Sequence, residues 1–130
     1  MRFVQIIGLV MMVLGFSAVS FAADDPSITD DTRKDIQSAM KSHIDQNVVN
    51  GRYVIYDAVE GRLKMLKFDQ VHEGIVKKAD FYVSCADFVD EKGKKYDLDL
   101  LVAADKGSFH VLETIVHSID GNKRKYHLED

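Results

Sequence analysis

The spacing of apolar residues changes character once along this 130-residue chain, and that change limits the fold more than any other feature. Between positions 31 and 48, Ile36, Met40, Ile44 and Val48 recur every fourth residue, and Ala39 widens the stripe. This is the pattern of an amphipathic helix. Thr29, Asp30, Asp31 and Thr32 supply side-chain oxygens that can cap its first backbone N–H groups, and the acidic ones suit the positive end of the helix dipole. Asn50-Gly51, a pair that tolerates left-handed backbone, is expected to close it. After Gly51 helical spacing does not return. Runs rich in β-branched and aromatic residues (53–56, 63–76, 81–90, 96–103, 109–119) alternate with Gly- and Asp-bearing breaks, the punctuation of consecutive hairpins. A short last strand over residues 124–128 is expected to pair back.

A single helix with one apolar stripe must bury it, and the only partner available is the sheet. The expected fold is therefore α+β, with one N-terminal amphipathic helix packed on a curled four- to six-stranded antiparallel β-meander. It occupies residues 30–130, after a flexible acidic stretch at 23–29. Composition agrees: 46% hydrophobic and 29% charged residues describe one ordinary globular domain, not a disordered chain, a rod or a multi-domain enzyme. With 17 Lys+Arg against 21 Asp+Glu there is no broad basic surface for nucleic acid. The single cysteine, Cys85, excludes an internal disulfide framework and any multi-cysteine metal site.

The first 22 residues read as an export signal. Arg2 precedes a mostly apolar run at 3–16, and Ser20 and Ala22 fill the positions a signal peptidase reads, so cleavage is expected after Ala22. The run is short for a spanning helix, which needs about 20 apolar residues. The mature chain is then expected outside the cytoplasm, in a bacterial periplasm, and off the membrane. A lone thiol in a disulfide-forming compartment is either hidden, bound to something, or paired with another chain.

The element order, a helix followed by a curled antiparallel meander, resembles the cystatin-like group of folds, which includes cystatins, nuclear-transport-factor-like proteins and, more distantly, PepSY domains. The cystatin loop Gln-x-Val-x-Gly is absent, since Asp69-Gln-Val-His-Glu-Gly74 lacks its spacing. Residues 96–102 followed by Lys106-Gly107 look like a PepSY hairpin. Val71-His72, Cys85-Ala-Asp-Phe88, Tyr96-Asp-Leu-Asp99 and Val116-His117 before Asp120-Gly121 look like small exported bacterial proteins of no known function. The resemblance implies a fold and no activity.

The turns suggest a register, and the register groups the polar residues. A four-residue loop at 77–80 sets Val76 opposite Phe81, His72 opposite Cys85 and Gln70 opposite Asp87. A two-residue turn at Lys92-Gly93 sets Cys85 opposite Leu100 and Asp87 opposite Leu98. A turn at Lys106-Gly107 sets Leu100 opposite Glu113 and Tyr96 opposite His117. On that scheme Leu66, Phe68, Leu98 and Leu100 meet the helix, and Gln70, His72, Cys85, Asp87, Glu113 and His117 share their face. Polar groups there are costly unless paired or wet, so they either line a pocket or the register slips. Asp97 and Asp99 fall on the opposite, solvated face.

Three functions remain open. The first is a small binding domain without a catalytic motif, which takes a small ligand or a partner protein through the curled sheet; its pocket candidates are Gln70, His72, Cys85, Asp87, Tyr96 and Glu113. The second is a periplasmic copper or zinc protein using His72 and Cys85, with His117 as a further ligand, because thiolate, imidazole and carboxylate together suit those ions. The third is a small pocket enzyme using Asp87, Glu113 or Cys85. The lack of a catalytic motif favours binding over catalysis, no cofactor is required, and Cys85 could bridge a homodimer if exposed.

Overall fold

A computed structural model describes residues 24–126. The export signal at 1–22 and the end of the last expected strand lie outside them. Helix α1 (Asp30–Gln46) opens at Thr29, whose hydroxyl accepts the Thr32 N–H at 3.2 Å, and buries Ile36, Met40 and Ile44. It stops before Val48. Asn47 caps it by donating its N–H to the carbonyls of His43 and Ile44. Val48 instead enters β1 (Val48–Val49), and Asn50-Gly51, at φ 51° and 77°, turns β1 into β2 (Arg52–Asp57). The pair is a hairpin turn, the other use of a dipeptide that accepts positive φ.

The remaining strands are β3 (Arg62–Lys77), β4 (Tyr82–Val89), β5 (Lys95–Asp105), β6 (Ser108–Ile119) and β7 (Asn122–Lys123). Among the described residues all seven pair antiparallel in chain order as one sheet. The count exceeds the expected four to six because two Asn/Asp-Gly turns each add a two-residue strand, β1 and β7. The sheet curls until β2 approaches β6, where Tyr53 Oη lies 2.8 Å from Thr114 Oγ1. Within that curl α1 meets the core: Ile36, Met40 and Ile44 pack with Leu66, Phe88, Leu98, Leu100 and Val102. Phe88 stacks on Tyr53 at 5.1 Å and meets Phe68 edge-on at 5.6 Å. No helix among the described residues is long and apolar enough to cross a membrane.

The register corrects the one read from the turns. Between β4 and β5 the chain makes a five-residue loop, not a two-residue turn: Asp90 Oδ1 accepts the N–H groups of Lys92 and Lys94, both at 2.9 Å. Val89 therefore faces Lys95, and Cys85 faces Asp99 where Leu100 was expected. A one-residue slip moves every side chain of one strand to the other face relative to its neighbour. Ser84, Ala86 and Phe88 consequently pair with Leu100, Leu98 and Tyr96 toward the helix. Cys85 and Asp87 pair with Asp99 and Asp97 away from it. Between β3 and β4 the loop starts one residue later, so Val76 faces Val83. Tyr96 meets Ile119, Leu98 meets Val116 and Leu100 meets Thr114, each displaced from the expected partner by a bulge or slip.

Candidate metal centre

Two bulges build the site. Along β3 the pairing steps from Val71–Ala86 to Ile75–Ser84, so His72, Glu73 and Gly74 stand opposite Cys85 alone. Along β6 the pairing steps from Asp97–Ser118 to Leu98–Val116, which leaves His117 as the extra residue. Bulges re-aim side chains that a regular ladder would send elsewhere, and they concentrate beside functional sites. The two histidines come within hydrogen-bond reach of β4 and β5 side chains this way, although strand pairing alone sets neither opposite them.

The β3 bulge is held from the helix. Arg33 Nη1 donates to the Glu73 carbonyl at 2.7 Å and Gln37 Nε2 to the His72 carbonyl at 3.3 Å. Arg33 is itself anchored by Asp24 at 2.8 Å, and the Ser84 hydroxyl donates to the Gly74 carbonyl at 2.9 Å. The backbone under His72 is therefore fixed by side chains from three other segments.

Two hydrogen-bonded groups of side chains meet on the face turned away from α1. In one, Asp87 accepts from His72 Nε2 at 2.8 Å and from Gln70 Nε2 at 3.1 Å. In the other, Asp99 accepts the Cys85 thiol proton at 3.0 Å on Oδ1, and its Oδ2 lies 2.9 Å from His117 Nδ1. Asp99 is 0% exposed and Cys85 2%. Asp97 stands between the groups as cross-strand neighbour of Asp87. Its Oδ1 is sealed from solvent and has no hydrogen-bond partner among the described residues. Burial pushes the Asp97 carboxyl up to about 6. His72 and His117 oppose that rise, and Asp99 and Asp87 add to it.

One ligand atom each from His72, Cys85 and Asp97 lies within 4.8 Å of the others. Ligands around a tetrahedral zinc sit roughly 3.4–3.8 Å apart, so about 1 Å of side-chain contraction would close the set on an ion. With Asp87 taking the Nε2 proton of His72, Nδ1 is left with the lone pair. The carboxylate–imidazole pair is the arrangement that fixes the tautomer of a metal-binding histidine.

Of the residues expected to line a site, Gln70, His72, Cys85 and Asp87 come together, on the face opposite to the one expected. His117 joins one step removed, behind Asp99. Tyr96 points the other way, into the core at 3% exposure. Glu113 lies across the sheet curl beside β2, and its carboxylate accepts the Thr114 N–H at 3.2 Å. Asp97 and Asp99 were expected on a solvated face and are instead half-buried and fully buried. The signal that could have found them is Asp90-Glu-Lys-Gly-Lys94, an Asp that caps its own loop two and four residues on, which lengthens the turn and changes the register. Compared with protein-family models, curated proteins and solved structures, the chain matches none.

Proposed function

We propose that this protein binds a divalent transition metal, zinc in the first instance, through His72, Cys85 and Asp97. The observation that carries the reading is the Asp97 oxygen, buried without a partner beside a thiol and an imidazole. A buried unpaired carboxylate oxygen costs free energy that a cation at that point would return. The surroundings agree in sign. Asp87, Asp97 and Asp99 share one face, and among the described residues the groups that partner them there are two histidines, a glutamine and a thiol, with no fixed cation.

Imidazole, thiolate and carboxylate form a borderline donor set. It suits zinc, whereas the hard carboxylate weakens the case for copper(I). Three protein donors leave a fourth position for water or a substrate atom. With an ion held, Asp87 would orient His72, and Cys85 would give up the proton it now donates to Asp99, whose carboxylate, beside His117, can take it. The reading places the protein outside the cytoplasm, which the export-signal pattern of residues 1–22 supports, and within the cystatin-like group, which the order of one helix followed by a curled meander supports.

Cobalt(II) titration of the purified, reduced, metal-free protein tests it. One equivalent of cobalt with a thiolate-to-metal charge-transfer band, displaced by zinc and lost in Cys85→Ser, His72→Ala and Asp97→Asn, is the expected result. A folded protein that gives no such band overturns the reading.

A further inference from the structure

A second site lies on the other side of the sheet curl. Between the end of α1, β2 and β6 runs a cleft of about 730 Å³, lined largely by aliphatic and aromatic side chains. It shares no residue with the His72–Cys85–Asp97 cluster. Tyr56, Val59 and Leu112 at its rim are each 63% exposed. Leu112 is there because of a second bulge in β6, where the pairing steps from Leu101–Glu113 to Val102–Val111.

The cleft has a polar wall with a direction. Asn47 Nδ2, which can only donate, lies 3.4 Å from His43 Nδ1, so that ring nitrogen accepts. His43 Nε2 then carries the proton and donates to Tyr53 Oη at 3.1 Å, and Tyr53 Oη lies 2.8 Å from Thr114 Oγ1, a bond in which either hydroxyl can donate. Burial lowers the His43 pKa and raises that of Tyr53, which keeps both neutral. Either way one hydroxyl proton of the Tyr53–Thr114 pair has no acceptor among the described residues, and with Tyr53 donating it is that of Thr114. Among the described residues the charged groups of the lining are Asp57 and Glu113, both acidic, and no Lys or Arg joins them. Arg124 neutralises Asp57 at 2.8 Å.

We infer that this cleft binds an uncharged, largely apolar small molecule carrying a carbonyl, ether or hydroxyl oxygen, which accepts from Thr114. A pocket that is mostly apolar with a few convergent polar groups is the general form of a small-molecule site. An anionic head group is disfavoured, because among the described residues the uncompensated charge in the lining is Glu113. An added β-strand fits less well. The gap between β2 and β6 is crossed by Tyr53 to Thr114 and by Arg124 to Asp57, and the Val116 carbonyl of β6 is already taken by the Tyr126 hydroxyl. A backbone entering there would have to break both crossing bonds and displace Tyr126.

Two fluorescent probes with the same rings test the inference on the purified protein: N-phenyl-1-naphthylamine, which is neutral, and 8-anilinonaphthalene-1-sulfonate, which is anionic. The neutral probe should bind saturably at one site and be displaced by 2-undecanone, and much less by undecanoate. Leu112→Asp, at an exposed bulge, should weaken the probe at least tenfold and leave cobalt binding unchanged. Thr114→Val should weaken the ketone by about tenfold, the worth of one hydrogen bond to a buried oxygen. Equal binding of the two probes, no binding of the neutral one, or an unchanged Leu112→Asp variant overturns the inference. So does sedimentation showing a dimer that excludes the probe, since the cleft would then be a protein interface.

Discussion

The thiol of Cys85 donates to Asp99 Oδ1 across 3.0 Å, and neither residue reaches solvent. Cross-strand neighbours on the face turned away from the helix, they form the fixed part of the polar cluster, while His72 and His117 are brought to it by bulges.

Asp99 should therefore be the most costly polar position to change. Asp99→Ala removes the acceptor of a buried thiol and the partner of His117, and breaking a buried pair of this kind costs about 3 kcal/mol. Urea unfolding of the metal-free protein measures it, and a loss under about 1 kcal/mol would show that the network is not fixed.

Asp97 should set an acid-side gain in stability of the metal-free protein. Its folded pKa, about 6, lies above the ordinary 3.8, so the fold favours the protonated carboxyl. The stabilisation is complete below the unfolded value and is lost as pH rises through the folded one. Melting temperature should fall between pH 4 and pH 7 in the native sequence, and this part of the slope should vanish in Asp97→Asn. Metal affinity should run the opposite way, rising over the same interval, because bound ions need deprotonated ligands.

Helix residues that touch no ligand atom should tune the metal. Arg33 and Gln37 hold the carbonyls of Glu73 and His72. Arg33→Ala and Gln37→Ala free the bulge that carries the imidazole, and loss of such outer supports typically costs 10–100-fold in affinity. Asp87→Ala, which removes the partner of His72 Nε2, belongs in the same range. Competition with a chromophoric chelator gives the numbers, and circular dichroism checks that the fold is kept.

Phe88 anchors the core between Tyr53 and Phe68. Phe88→Ala should cost about 4 kcal/mol, the usual range for deleting a fully buried aromatic ring. Because Tyr53 stacks on Phe88, the same variant should also weaken probe binding in the cleft while sparing the cobalt spectrum.

The local elements were legible because each rests on short-range chemistry. Ile36, Met40 and Ile44 mark the buried stripe of α1, Thr29 caps it, and Lys106-Gly107 and Asp120-Gly121 turn where positive φ is needed. The α+β order follows from these. His72, Cys85 and Asp87 were also visible as groups in search of a partner, because strand residues of those types seldom lie buried without one.

What the reading of the turns misplaced was the face on which they meet. A strand alternates with period two, so the side taken by Cys85 depends on whether the loop after Val89 holds two residues or five. The Asp90 side chain decides that by capping Lys92 and Lys94. The bulges that bring in His72 and His117 have no local signature either. They exist because Arg33, Gln37 and Ser84 satisfy the carbonyls of the β3 bulge, and because the curled sheet brings β6 within reach of Asp99. Short-range propensity determined the helix, the turns and the succession of strands. Long-range hydrogen bonding, which only the assembled sheet and helix can offer, placed the bulges, buried Asp97 and Asp99, and turned seven scattered polar residues into one site.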